Sequence, residues 1–146
     1  MIKEEIQNQI NTALKAGNKE RVNTLRFVLS QIKYKEIDSL KEITDDETIS
    51  VLRQELKKRN EAIEMFKKGS RQDLVEQNQN EIAIIEEFLP ASLSDTEINK
   101  IIDDVLKKSG NHVNPGKIIG MVVGLTKGRA DGGKIAQLVN QKLKNQ

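Results

Sequence analysis

The sequence predicts an all-α protein, and three observations carry this prediction. Apolar residues recur at helical spacing along the whole chain, and no stretch alternates with a period of two for long enough to form a strand. Capping residues, glycines and prolines divide the apolar stripes into separate segments. Aromatic residues make up only 3% of the 146 residues, whereas charged residues make up 32%, a composition typical of a helical bundle.

The first two predicted helices are separated by Gly17. A stripe of apolar residues ends at this glycine, and the side chain of Asn18, directly after it, can cap a second helix. The two stripes are Ile2, Ile6, Ile10, Ala13 and Leu14 in the first helix, and Val22, Leu25, Leu29 and Ile32 in the second.

The third and fourth helices follow in residues 44–90. Residues 44–47, Thr-Asp-Asp-Glu, form a capping box that opens a long third helix, and Gly69 ends it. We expect Ser70 to start the fourth helix. That helix stops before Pro90, because proline cannot continue a helix and disfavours helical backbone at the residue before it.

Three further helices are predicted after Pro90. Residues 94–97, Ser-Asp-Thr-Glu, form a second capping box, and the helix that follows closes at Gly110. A sixth helix opens where Asn114 provides a cap and proline occupies the first helical position. Asp131 can cap a seventh helix.

The chain is expected to divide at Pro90 into two helical subdomains. Residues 1–90 carry 15 basic and 17 acidic side chains, whereas residues 91–146 carry 9 and 5. We therefore predict an acidic N-terminal subdomain of four helices and a basic C-terminal subdomain of three.

The basic charge is concentrated after Asn114. Residues 114–146 contain six basic residues, one acid and six of the nine glycines of the chain. A basic, glycine-rich end favours contact with a polyanion, in particular RNA. A solvated face that only keeps the protein soluble is an equal alternative. The candidate RNA-binding residues are Lys117, Lys127, Arg129, Lys134 and Lys142.

Two glycine patterns in this region are candidate contact points. Gly132 and Gly133 leave amides open at the start of the seventh helix, where a phosphate can bind, although the carboxylate of Asp131 can cap the same amides. The segment is not a P-loop. In the sixth helix, glycines at every fourth position from Gly116 to Gly124 would let another backbone approach one face.

Two charged residues occupy positions at which the helical spacing of apolar residues in the third and fourth helices predicts buried apolar side chains. These are Arg59 and Glu81. If the two helices fold back at Gly69 as an antiparallel hairpin, the two side chains come within reach of each other. We interpret them as a semi-buried ion pair, because buried charges are normally paired; a charged functional pocket is the alternative.

The remaining sequence offers little chemistry. The absence of cysteine excludes disulfides and thiolate catalysis, and the single histidine, His112, is interpreted as an ordinary loop residue. We expect no metal and no cofactor. No run approaches the roughly 20 apolar residues of a membrane span, and the first residues lack the apolar region of a secretory signal. A soluble cytoplasmic protein with no membrane partner is therefore expected.

The order of motifs along nearly the whole chain resembles the YqeY family. That family is similar to the C-terminal tail domain of the B subunit of the glutamine-dependent Asp/Glu-tRNA amidotransferase. The resemblance implies an all-α fold of two helical subdomains and, as in the amidotransferase, contact with the body of tRNA. Phe88 departs from the family, which often has tyrosine there. The motifs are Arg59-x-Glu61-x-Ile63-x-x-Phe66-x-x-Gly69-x-Arg71-x-Asp73-Leu74, Glu81, Phe88-Leu89-Pro90, Gly116-Lys117-x-x-Gly120 and Gly128-x-Ala130-Asp131-Gly132.

Three functional classes are consistent with these observations. The first is a helical module that binds tRNA, and the second is an accessory component for an amidotransferase or an aminoacyl-tRNA enzyme. The third is a protein–protein adaptor. The resemblance implies an association with carbon–nitrogen ligase activity that uses glutamine as amido-nitrogen donor. The chain itself shows no catalytic machinery, since it lacks an activated nucleophile and a nucleotide cradle. Because aromatics are scarce, any RNA contact should be to backbone and shape.

Overall fold

The computed structural model describes residues 1–110 and 114–145. These residues form seven α-helices and no strand, which confirms the all-α prediction. The helices are α1 (Ile2–Lys15), α2 (Lys19–Ser39), α3 (Asp45–Lys68), α4 (Gln72–Glu86), α5 (Asp95–Ser109), α6 (Pro115–Thr126) and α7 (Gly132–Lys144).

The chain divides into two compact units, Met1–Leu89 and Pro90–Gln146. The first unit contains α1 to α4 and buries a core to which all four helices contribute. One core residue, Ile43, comes from the loop between α2 and α3 and is only 2% exposed. The second unit contains α5 to α7 around a smaller core. That core consists of Ile98, Ile102, Val105, Ile118, Val122, Ile135, Leu138 and Val139.

Side-chain caps form at several of the expected helix starts. The hydroxyl of Thr44 accepts a hydrogen bond from the amide of Glu47 at 3.2 Å. At α5 the exchange is reciprocal, because the Glu97 amide donates to the Ser94 hydroxyl at 3.2 Å and the Ser94 amide donates to the Glu97 carboxylate at 2.8 Å. Asn114 caps α6, where proline occupies the first helical position. These bonds satisfy amides that have no partner inside the helix.

The start of α4 differs from the prediction. The helix begins at Gln72, and Ser70 does not cap it, because Ser70 takes the left-handed conformation (φ 56°) that ends α3. The amides of Ser70 and Arg71 donate to the carbonyls of Lys67 and Phe66 at 3.2 and 2.9 Å. This pair of bonds is a Schellman motif. The left-handed residue of this motif is Ser70. It lies one position after Gly69, the residue at which the sequence predicted the end of the third helix.

Glu36 fastens the loop that carries Ile43 to the first two helices. One carboxylate oxygen accepts a hydrogen bond from the Lys3 ammonium group at 2.7 Å, and the other accepts from the Ile43 amide at 3.0 Å. These bonds, that from Lys3 first, lower the pKa of Glu36 below its ordinary value of 4.5. The charged form of Glu36 is therefore the one that stabilises the fold.

Replacing Glu36 with glutamine should lower the free energy of unfolding at neutral pH. Because the pKa of Glu36 is lower in the folded state, its contribution is complete above the ordinary value and is lost as the pH falls through the folded value. Urea unfolding from neutral pH down to about pH 3 should show the difference between wild type and variant shrinking below about pH 4.5. Glu42→Gln, in the same loop, is the control and should follow the wild type. A difference that is independent of pH would contradict this role.

Candidate nucleic-acid interface

Helix α6 buries one apolar side and exposes three glycines, together with Met121, Val123 and Leu125, on the rest of its surface. Ile118, Val122 and Thr126 are buried in the second unit. Gly116, Gly120 and Gly124 recur at every fourth position and are exposed, so they lie along the opposite side. These three glycines are called the glycine face below.

Two of the three glycines, Gly120 and Gly124, have no packing role among the residues that the structure describes. A β-carbon added to Gly120 or Gly124 would meet no atom within 4 Å. The close approach of a backbone that the glycine spacing suggested is therefore not made by the described part of this chain. Each glycine inside a helix costs roughly 0.5–1 kcal/mol relative to alanine. Intramolecular packing at this face does not offset that cost.

Lys117 and Lys127 stand at the two ends of the glycine face. Both side chains are exposed, and neither forms an ion pair with any residue in the described ranges. Lys127 is the left-handed residue that ends α6, with φ 50°. At 1.5 Å per residue the two positions are about 15 Å apart along the helix. The structure thus brings two of the five predicted RNA-binding residues to one exposed face.

The other two predicted lysines lie in contacts between α5 and α7. The ammonium group of Lys134 is 3.2 Å from the carboxylate of Asp95. Lys142 forms an ion pair with Asp103 and also donates to the carbonyl of Asn99 at 3.5 Å. Their charges are already compensated within the second unit. Each would have to loosen a contact before binding a phosphate.

Arg129 is also engaged within the second unit. Its Nε donates to the carbonyl of Ala91 at 3.0 Å, and its own carbonyl accepts from the amide of Leu93 at 2.8 Å. These two bonds fasten the loop before α7 to the segment that leads into α5. The guanidinium therefore has a structural role that residue counting could not reveal.

The candidate phosphate loop holds exposed glycines beside a carboxylate. Gly132 and Gly133 are the first two residues of α7, and both are exposed. Asp131 precedes them but makes no capping hydrogen bond, contrary to the expected competition for these amides. Its Oδ2 nevertheless lies 3.1 Å from the position that a β-carbon on Gly133 would take. A phosphate here would meet this negative charge.

An apolar groove of about 410 Å³ adjoins the glycine face. Met121, Gly124 and Leu125 of α6 form one wall, and the other wall comes from α5. Lys108 and Asp104 on α5 both line the groove, so the third cation near the glycine face is accompanied by an acid. Sequence reasoning missed this lysine, because its position beside α6 depends on how the two helices pack.

In the first unit, Arg59 lies between two carboxylates. Its Nε donates to Glu81 at 3.0 Å, and its Nη1 donates to the side chain of Glu55 at 2.7 Å and to the Glu55 carbonyl at 3.2 Å. Arg59 is 9% exposed and Glu55 only 2%. The sequence analysis named Arg59 and Glu81 but missed Glu55, although a spacing of four residues on one helix was a usable signal. The arrangement suits a structural ion cluster.

Within residues 1–110 and 114–145, no group of three or more His, Cys, Asp or Glu side chains is placed to hold a metal ion. No helix there has the length and hydropathy needed to cross a membrane. His112 lies outside the described residues.

The fold and the site define a small all-α protein whose second unit presents a basic, glycine-lined face. The chain belongs to the YqeY family, because residues 3–143 match the family described as Yqey-like protein. This confirms the resemblance seen in the motifs.

Three fungal relatives illustrate the similarity. An uncharacterized protein of Schizosaccharomyces pombe is 35% identical over 89 residues, which cover 61% of this chain and 72% of the relative. The "Altered inheritance of mitochondria protein 41, mitochondrial" of Pyrenophora tritici-repentis is 27% identical over 86% of this chain and 71% of its own length. The protein of the same name from Kluyveromyces lactis is 32% identical over 80% of this chain and 66% of its own.

The predicted cytoplasmic location is wrong by this comparison. The relatives from Pyrenophora tritici-repentis and Kluyveromyces lactis, among others, are mitochondrial by name. The prediction relied on the lack of an apolar signal region, which bears only on secretion. Mitochondrial leaders are amphipathic and rich in arginine, so that criterion does not detect them.

The ion cluster around Arg59 predicts unequal effects of its members. Arg59→Leu should lower the free energy of unfolding by about 3–5 kcal/mol, because it leaves Glu55 buried without its main partner. Glu81→Leu should cost less, since Glu55 still pairs with Arg59. Adding Glu81→Leu to Arg59→Leu should recover only part of the loss, and further addition of Glu55→Leu should recover more. Chemical denaturation of the five proteins measures this, and strictly additive effects of the substitutions would contradict it.

Proposed function

We propose that this protein binds a tRNA-like RNA through the glycine face of α6, with Lys117 and Lys127 contacting backbone phosphates. The observation that carries the proposal is an exposed helix face on which three glycines recur, with Val123 exposed among them and an exposed lysine at each end. Lysines that already pair within the unit contribute less, because their charges are compensated before RNA arrives.

The glycine face suits the backbone of a nucleic acid. Where its glycines lack side chains, α6 lets a phosphate–sugar chain approach closely while the lysines at the ends of the glycine face neutralise phosphates. Because only 3% of the residues are aromatic, base stacking contributes little, and affinity must come from the phosphates. The resemblance to a tail domain that contacts the tRNA body supports tRNA as the RNA class.

A second candidate is a protein partner, such as an amidotransferase or an aminoacyl-tRNA enzyme. The apolar groove favours it, since Met121 and Leu125 on its α6 wall are 40% and 58% exposed. Exposed apolar patches mark protein interfaces. Salt dependence separates the two candidates, because counterion release on RNA binding makes affinity fall steeply with salt.

The lysine contribution can be measured with unfractionated tRNA. Each neutralised phosphate contributes about 0.7–0.9 to the slope of log K against log salt concentration. Lys117→Gln combined with Lys127→Gln should therefore lower the slope by about 1.5 and weaken binding at low ionic strength. Lys134→Gln should change the slope less.

The matched control for this double variant is Lys57→Gln combined with Lys68→Gln on α3. Both control lysines are exposed and belong to the first unit, so the total charge changes equally. The control should bind tRNA like the wild type. A control that loses as much slope as the α6 variant would show non-specific attraction. The absence of salt-dependent binding by the wild type would reject RNA as the ligand.

The glycines offer a test in which stability and binding move in opposite directions. Gly120→Ala and Gly124→Ala should each raise the free energy of unfolding by about 0.5–1 kcal/mol, because the new methyl groups meet no atom. The same methyl groups should weaken tRNA binding by holding the phosphates away from the helix. Asn60→Ala on the exposed side of α3 is the control, since it should stabilise a helix without affecting binding. Unchanged affinity in the two glycine variants would remove the glycine face from the binding site.

A further inference from the structure

Helix α2 is apolar on two sides. Its inner side places Val22, Leu25, Val28 and Ile32 in the core of the first unit. Its outer side exposes Phe27, Tyr34 and Ile37, which are 47%, 63% and 67% accessible. Spacings of seven and three residues put these three side chains on one side of the helix. They are called the outer stripe of α2 below.

The outer stripe has the features of a binding surface. A helix that is apolar on both sides is typically covered on both, and neighbouring exposed aromatics are enriched where proteins meet. Phe27 is held in place, because the guanidinium of Arg59 lies 5.4 Å from its ring centre and Glu55 and Glu81 fix that guanidinium in turn. An anchor that is already ordered loses less entropy on binding.

Charged residues border the outer stripe with opposite signs. Helical geometry places Arg26 and Lys33 along one edge, and Glu20 and Asp38 along the other. All four side chains are exposed. Arg26 lies beside Phe27 and Lys33 beside Tyr34, whereas on the opposite edge Glu20 and Asp38 lie beyond the two ends of the stripe.

We propose that the outer stripe of α2 binds an amphipathic helix of a partner protein, with acidic residues on the rim that meets Arg26 and Lys33. The stripe from Phe27 to Ile37 is about 15 Å long, which matches roughly three turns of a helix. Apolar residues at every third and fourth position of the partner would cover the stripe. The charged edges would then fix which way the partner lies.

The charge pattern disfavours an antiparallel dimer through α2 and a nucleic acid as the occupant. In an antiparallel dimer of two α2 helices, each edge faces its own copy, so that Arg26 and Lys33 meet cations while Glu20 and Asp38 meet anions. A nucleic acid would meet the acids at both ends of the stripe. The stripe belongs to Met1–Leu89 and the glycine face to Pro90–Gln146, so this inference does not depend on RNA binding.

The chain carries its own probe for this surface. Tyr34 is the single tyrosine and tryptophan is absent, so intrinsic fluorescence reports directly from the outer stripe. The ligand is a synthetic amphipathic helix of about 14 residues without tyrosine or tryptophan, with leucines on one side and glutamates along one rim. We expect a saturable change in Tyr34 fluorescence. The same peptide with lysines in place of the glutamates should bind about ten-fold more weakly.

Substitutions separate the outer stripe from other exposed apolar residues. Ile37→Lys should weaken binding of the glutamate peptide, measured by calorimetry, by about ten-fold or more. Met65→Lys is the matched control, because Met65 lies on α3 of the same unit and is 71% exposed; it should bind within about two-fold of the wild type. Arg26→Glu with Lys33→Glu should reverse the preference, so that the lysine peptide binds better.

Several outcomes would overturn this proposal. Failure of the glutamate peptide to give saturable binding would do so, as would an equal loss in Ile37→Lys and Met65→Lys. A dimer in sedimentation that Ile37→Lys abolishes would assign the stripe to a second copy of the chain. Loss of tRNA binding in Ile37→Lys, with the fold intact by circular dichroism, would assign it to RNA.

Discussion

The guanidinium of Arg59 joins three helices of the first unit. It belongs to α3, where it binds Glu55; it reaches Glu81 on α4, and it lies over the ring of Phe27 on α2. A buried charge must be paired, so the α3–α4 hairpin has one favourable register. The Schellman motif at Ser70 turns the chain to meet that register. The position of Phe27 on the outer stripe therefore depends on an ion cluster that is itself almost inaccessible to solvent.

In the second unit, the neighbours of each basic side chain decide whether it is paired or exposed. Lys134 and Lys142 on α7 face acids of α5 and hold the two helices together, and Arg129 fastens a loop. Lys117 and Lys127 border the glycine face, away from these acids. The excess of positive charge is thus divided, since part of it stabilises the three-helix packing and part is exposed beside the glycine face.

The sequence predicted correctly those features that depend on residues close together in the chain. The caps at Thr44 and Ser94 could be predicted, because a helix start is decided by residues that are neighbours in the chain. The start of α4 could not, since Ser70 takes the left-handed conformation that ends α3 and does not cap α4. The partners of Lys134 and Lys142 depend on how α5 packs against α7, and charge counting cannot distinguish a paired lysine from an exposed one. For this reason, only two of the five candidate RNA-binding residues, Lys117 and Lys127, are exposed on one face without an ion pair to any described residue.

The two separate cores have a consequence for how the molecule can vary. Each unit buries its own apolar cluster, so unfolding need not be one cooperative event and a single melting temperature need not describe the chain. The low helix propensity of the glycines in the glycine face then lowers the stability of the three-helix unit alone. Over evolutionary time the four-helix unit can accept substitutions under a stability margin of its own, while the three-helix unit changes under a different one.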